Sequence, residues 1–227
     1  MIVVASSTEM TTGATDAVLG VECLAVLACL WRAPRADRWR VGLWCWTFGL
    51  LAFASFLGAA AHGLEIPASL RAALWKPLYL SLGLLVALFV VGAFSDWLGR
   101  AAVPRLVPWG IGLASVFFSL TECFDGAFVI FVIYEAAAMA SALAIYAFLA
   151  ATQRLKGAGV MATAILLNLA AAGVQATHLS FQLFVPFDHN GMFHLVQMSA
   201  IAALGLGLRM SMTQHPRVPP ETPSLCH

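Results

Sequence analysis

Seven apolar runs, each near the length a helix needs to cross a bilayer, leave this 227-residue chain almost no other architecture. A spanning helix takes about 20 apolar residues. Runs of that order fall at 14–31, 41–63, 74–94, 102–119, 125–150, 159–182 and 191–213, each bounded by charge, Pro or Gly. They are continuous rather than alternating, which excludes a membrane β-barrel. Composition agrees, because only 10% of the residues are charged, against about a quarter in soluble domains. The sequence predicts an all-α polytopic membrane protein with seven transmembrane helices. Connections are short and the only tails are 1–13 and 214–227, so residues 1–227 read as one seven-helix domain. The first 13 residues carry no Lys or Arg and no small-residue cleavage pattern follows, which disfavours a cleaved signal peptide.

Lys and Arg fall unevenly between the two sets of loops. Arg32, Arg35, Arg38, Arg40, Arg100, Arg105, Arg154, Lys156, Arg209 and Arg217 would lie on one side, and Arg71 with Lys76 on the other. The positive-inside rule then places the N-terminus outside and the C-terminus in the cytoplasm, in a plasma or bacterial inner membrane. A net charge of +1 with no basic face argues against nucleic acid as a partner. The five cysteines are odd in number and show no C-x-x-C spacing, so they predict neither a disulfide framework nor a zinc–thiolate site. The sequence sets no oligomeric state.

The remaining polar residues gather in one leaflet. Under this topology Asp16 and Glu22 lie in the outer half of helix 1, His62 and Glu65 at the outer end of helix 2, and Glu122 with Asp125 at the outer turn between helices 4 and 5. His178 and Gln182 close helix 6, Asp188, His189 and His194 open helix 7, and Glu135 reaches below the start of helix 5. An ionisable group at mid-helix costs about 3 kcal/mol, so such groups normally face the bundle interior and mark a site. Helical spacing makes stripes of Asn190, His194 and Gln197 on helix 7, of Asn168, Gln175, His178 and Gln182 on helix 6, and of Ser55 with His62 on helix 2. An outward-opening polar cavity follows. Plainer readings hold for some of these groups. His178 and Gln175 serve as interhelical hydrogen-bond partners, Glu65, Glu122, Asp125 and Asp188 as solvated interface charges, and the tryptophans, Trp75 among them, as an interfacial belt.

At Asp188-His-Asn-Gly-Met-Phe-His-Leu-Val-Gln197, and at Ala59-Ala-Ala-His-Gly63, the chain resembles the superfamily of alkaline ceramidases, progestin/adipoQ receptors and hemolysin III-like proteins. The resemblance implies seven helices and a zinc ion held by one histidine of helix 2 and two of helix 7. Carried to this sequence, the implied metal ligands are His62, His189 and His194. Where the superfamily has a Ser one turn before the helix-2 histidine this chain has Gly58, and four residues before His194 it has Asn190. The start of helix 3 carries Trp75 and Lys76 rather than an Asp. Because five residues rotate a helix by about 140°, His189 is expected in a non-helical lead-in.

The resulting expectation is a membrane-embedded, zinc-dependent hydrolase that acts on a lipid amide or ester at an outward-facing cavity, with membrane lipid or a small molecule as substrate. Three imidazoles leave an open coordination position for water, and Asp16 or Glu22 would act as general base. Ser55, Glu135, His178, Asn190 and Gln197 would support the site or line the cavity. Two other classes use the same residues. One is a non-catalytic receptor or transporter, and the other a b-type haem protein ligated by His62 with His178 or His194. A retinal Schiff base is disfavoured, since the only lysines, Lys76 and Lys156, lie outside helix 7.

Overall fold

The computed structural model describes residues 3–33, 37–177, 179–182 and 184–213. It contains seven helices long and apolar enough to cross a membrane: α1 (Ser7–Trp31), α2 (Arg38–Gly63), α3 (Ala68–Leu98), α4 (Val103–Cys123), α5 (Phe128–Ala151), α6 (Ala158–Gln175) and α7 (His189–Met212). A 3-10 turn, Arg100–Ala102, leads into α4, and a small antiparallel hairpin, β1 (Phe181–Gln182) and β2 (Pro186–Phe187), joins α6 to α7.

Two boundaries differ from the sequence reading. α1 starts at Ser7, inside the stretch expected to be a tail, because Ser6 caps it by accepting a hydrogen bond from the Glu9 amide. Ahead of it Val3 bridges to Leu64, and the Val4 amide donates to the Gly63 carbonyl. α6 ends at Gln175 rather than running to 182. The expected stripe is therefore reduced to Asn168 and Gln175 on the helix, Gln182 is exposed on β1, and His178 lies outside the described residues.

Packing runs α1, α2, α3, α5, α6, α7 and back to α1, so six helices close a ring, and α4 lies outside it against α3 and α5. α4 is accordingly the least covered helix, and its Trp109 is 77% exposed. One end of the ring is sealed by a dense core. Trp44 meets Phe89 edge-on at 5.6 Å, and Phe48, Tyr146 and Leu208 are fully buried around them. At this end Arg40 grips Asp96 with two 2.8 Å hydrogen bonds, and the Tyr146 hydroxyl donates to the same carboxylate at 3.1 Å. One charged cluster thus ties α2, α3 and α5. At the other end α1 and α2 approach closely, since a side chain on Gly13 would meet the Gly63 backbone at 2.8 Å. That end holds the cavity.

Candidate functional site

The cavity occupies about 380 Å³ inside the ring. Asp16 of α1, His62 of α2 and His189 with His194 of α7 line it, and Trp75, Tyr79, Phe128 and Phe131 of α3 and α5 add an aromatic wall. Asp16 and His194 are both buried, at 6% and 8% exposure.

Each of two cavity histidines is held through Nδ1. The Thr15 hydroxyl lies 2.9 Å from the Thr12 carbonyl, to which it donates, and its oxygen is 3.0 Å from His194 Nδ1. On the other side of the ring His194 Nε2 lies 3.3 Å from Asp16 Oδ1, so both ring nitrogens meet an oxygen. His62 Nδ1 donates to Glu9 Oε2 at 2.7 Å, and Nε2 makes no hydrogen bond among the described residues. An oxygen partner on one ring nitrogen fixes the tautomer and orients the other. His62 is also held by the edge of Trp75, with ring centres 5.6 Å apart.

The helix ends position these groups. Asp188 caps α7 by accepting from the Gly191 amide at 2.8 Å, and the same oxygen accepts from the Thr12 hydroxyl at 2.9 Å. It joins α1 to α7 rather than acting as the solvated loop charge the sequence predicted. His189 is the first residue of α7, within the helix and not in an irregular lead-in, yet it still lines the cavity. Gly58 lies beside Asp16, where a Cβ would stand 2.7 Å from Oδ2. The carboxylate fills the volume a side chain at 58 would take.

Among the expected site residues, Asp16, Ser55, His62, His189, Asn190, His194 and Gln197 come together around this cavity. Asn190 accepts from the Gln175 amide at 3.3 Å. Glu22 is not among them: six residues beyond Asp16 it is turned about 240° around α1 and lies deeper along the helix, half-buried and away from the cavity. Glu135 faces the interior one level below. Glu122 and Asp125 are exposed, as solvated charges should be, with Glu122 paired to Lys76. The sequence reading missed Glu9 and Thr12, which it left in a tail, and it missed Trp75 as a cavity wall. The signal for the first two is Ser6-Ser-Thr-Glu9, a capping-box spacing.

The donor set suits zinc in its chemistry, since imidazoles with a carboxylate beside them are ligand types that zinc takes. As they stand, however, no three His, Cys, Asp or Glu side chains among the described residues are gathered closely enough to hold a metal ion. The model of a family of unknown function, DUF6962, matches residues 11–213. No curated protein and no solved structure matches the chain.

Proposed function

Because this chain belongs to DUF6962, a family of unknown function, we propose from the site itself that it is a membrane-embedded hydrolase of a lipid amide or ester, with zinc held in the outward-facing cavity by His62, His194 and His189. The observation that carries this reading is the pair of oxygen-anchored imidazoles. His62 on Glu9 and His194 on Thr15 resemble the outer-shell arrangement of metal-binding histidines, in which an oxygen holds Nδ1 and Nε2 faces the site, in His194 toward Asp16. The resemblance of helices 2 and 7 to the ceramidase-type superfamily supports it, and the positive-inside rule supplies the outward orientation.

Bound there, zinc supplies a Lewis acid that activates water for attack on an acyl carbonyl. Asp16, 3.3 Å from His194 Nε2, receives the proton released from that water and returns it to the leaving amine or alcohol. Gln197 and Asn190 offer carboxamides to the polar end of the substrate, and the aromatic wall takes its apolar part while keeping bulk water out.

A second reading, ligand binding or transport without catalysis, is favoured by the absence of a gathered donor triad among the described residues. One experiment separates the two. Protein purified without chelator should carry about one equivalent of zinc, as a single site requires. His62→Ala and His194→Ala should each strip it, and His189→Ala tests the third ligand. Metal-free wild-type protein, or full retention in the His62 and His194 variants, would transfer the site to the binding or transport class.

A further inference from the structure

Below the histidine cavity lies a second, smaller one of about 70 Å³. The two share Leu51, Leu82, Phe131 and Gln197 as walls. Most of its lining is aliphatic or aromatic, but four helices each send one oxygen-bearing side chain to it: Thr47 from α2, Glu135 from α5, Asn168 from α6 and Gln197 from α7. No Lys, Arg or His lines it. Glu135 is only 7% exposed and lies about 10 Å along α5 from Phe128, well inside a membrane-spanning helix. A carboxylate at that depth with no cationic partner is costly to hold.

Donor and acceptor accounting shows what the cavity lacks. Asn168 Nδ2 donates to Glu135 Oε1 at 2.9 Å, Gln197 Nε2 donates to Asn168 Oδ1 at 3.4 Å, and the Thr47 hydroxyl spends its hydrogen on the Leu43 carbonyl at 3.0 Å. Glu135 Oε2, Gln197 Oε1 and the lone pairs of Thr47 Oγ1 accept no hydrogen bond among the described residues. Hard oxygens in surplus over donors, around a space with room for an ion and its remaining waters, are what a small hard cation requires. One carboxylate sets the charge. A monovalent ion neutralises the pocket, whereas a divalent ion would leave a net positive charge inside the membrane.

We propose that Thr47, Glu135, Asn168 and Gln197 form a binding site for a monovalent cation of sodium's size beneath the histidine cavity, and that its occupancy fixes Gln197, which lies one turn from His194 and belongs to both walls. The ion therefore stabilises the floor of the upper site and couples to whatever binds there. This site stands whether or not the histidines hold metal.

The test is thermal unfolding of the full-length protein in detergent, in sodium chloride against choline chloride at equal ionic strength. Sodium should raise Tm saturably, by on the order of 5 °C at a hundredfold excess over Kd. Glu135→Gln should abolish the difference between the salts, and Thr47→Val should move the sodium midpoint up about tenfold, the loss of one hydrogen-bond-strength contact, while Thr47→Ser retains it. Equal Tm values for the wild type in the two salts overturn the proposal and leave Glu135 as a neutral carboxylic acid. An undiminished sodium effect in Glu135→Gln overturns it as well. Should Glu135→Gln fail to fold, direct binding of radioactive sodium to the wild type and to Thr47→Val decides: unchanged affinity in the variant overturns the site, and a weakened one supports it. Zinc content does not enter these readouts, so failure of the hydrolase reading and failure of the cation site are distinguishable.

Discussion

Asp16 occupies space that only a glycine at 58 leaves open, with a hypothetical Cβ 2.7 Å from Oδ2. Asp16 and Gly58 therefore form a matched pair across α1 and α2. Gly58→Ser should displace Asp16 and cost about 1–3 kcal/mol as overpacking, read as a drop in Tm. Adding Asp16→Ala to Gly58→Ser should recover most of that stability, since the collision is gone. If Gly58→Ser alone leaves Tm unchanged, the carboxylate is not held where it is described. The partners behind the histidines make a second residue-scale case. If the proposed zinc site holds, Glu9→Gln and Thr15→Val, which keep volume but weaken the groups that orient His62 and His194, should each lower zinc affinity about 10- to 100-fold while leaving the metal bindable. Competition with a calibrated chelator measures this, and loss as complete as in His62→Ala would make Glu9 a direct ligand instead.

At the scale of elements, the ends of α1 and α7 build the site, and there the sequence was hardest to read. Hydropathy finds where a helix is apolar. The first two turns of α1 carry the buried Thr11 and Thr12 and the half-exposed Glu9 that reaches His62, so an apolar window starts that helix late although the capping-box spacing marks its start. α6 fails in the opposite direction: Leu179 and Phe181 extend the apolar run past Gln175 into the connection that carries the hairpin. The seven helices, the stripe of Asn190, His194 and Gln197, and the facing of Glu135 were all legible, because periodicity records which side of a helix is polar. Which groups pair across helices was not, since Asp188 meets Thr12 from 176 residues away. That pairing makes a prediction. Ser6→Ala removes a cap and should cost about 1 kcal/mol. Asp188→Ala removes a cap and orphans the Thr12 hydroxyl as well, so it should cost more, about 2 kcal/mol. Thr12→Val combined with Asp188→Ala should be less than additive in a double-mutant cycle on Tm. Strict additivity would deny the link between α1 and α7.

Across the whole molecule the polar groups divide into three levels: the histidine cavity at one end of the ring, Glu135 with its carboxamides in the middle, and Arg40 with Asp96 and Tyr146 at the far end. The far end is closed by a dense core and a charged cluster, so the cavity lies toward the opposite end, and the sidedness of the membrane decides which compartment the site serves. Removing one member of the cluster should be costly, because Asp96→Ala takes both carboxylate hydrogen bonds from the half-buried Arg40 and the acceptor from Tyr146, and should cost about 1.5–3 kcal/mol. The sidedness itself rests on the charge count. Eight of the ten basic residues assigned to the cytoplasmic side fall among the described residues, and all eight lie at the cluster end, in helix termini or the turns between them. Arg71 and Lys76, the two basic residues of the other set, lie in the first turns of α3 at the cavity end. Under the positive-inside rule this distribution is the one expected if the cavity opens outward, as proposed. In a protein whose native cysteines have been replaced, a cysteine at Ser7, exposed at the start of α1, should react with an impermeant thiol reagent on intact cells, and one at Ser224 should react only after permeabilisation. The reverse pattern would open the histidine cavity to the cytoplasm. A lipid from the outer leaflet could then no longer be its substrate, and the proposed sodium site would sample cytoplasmic rather than external concentrations.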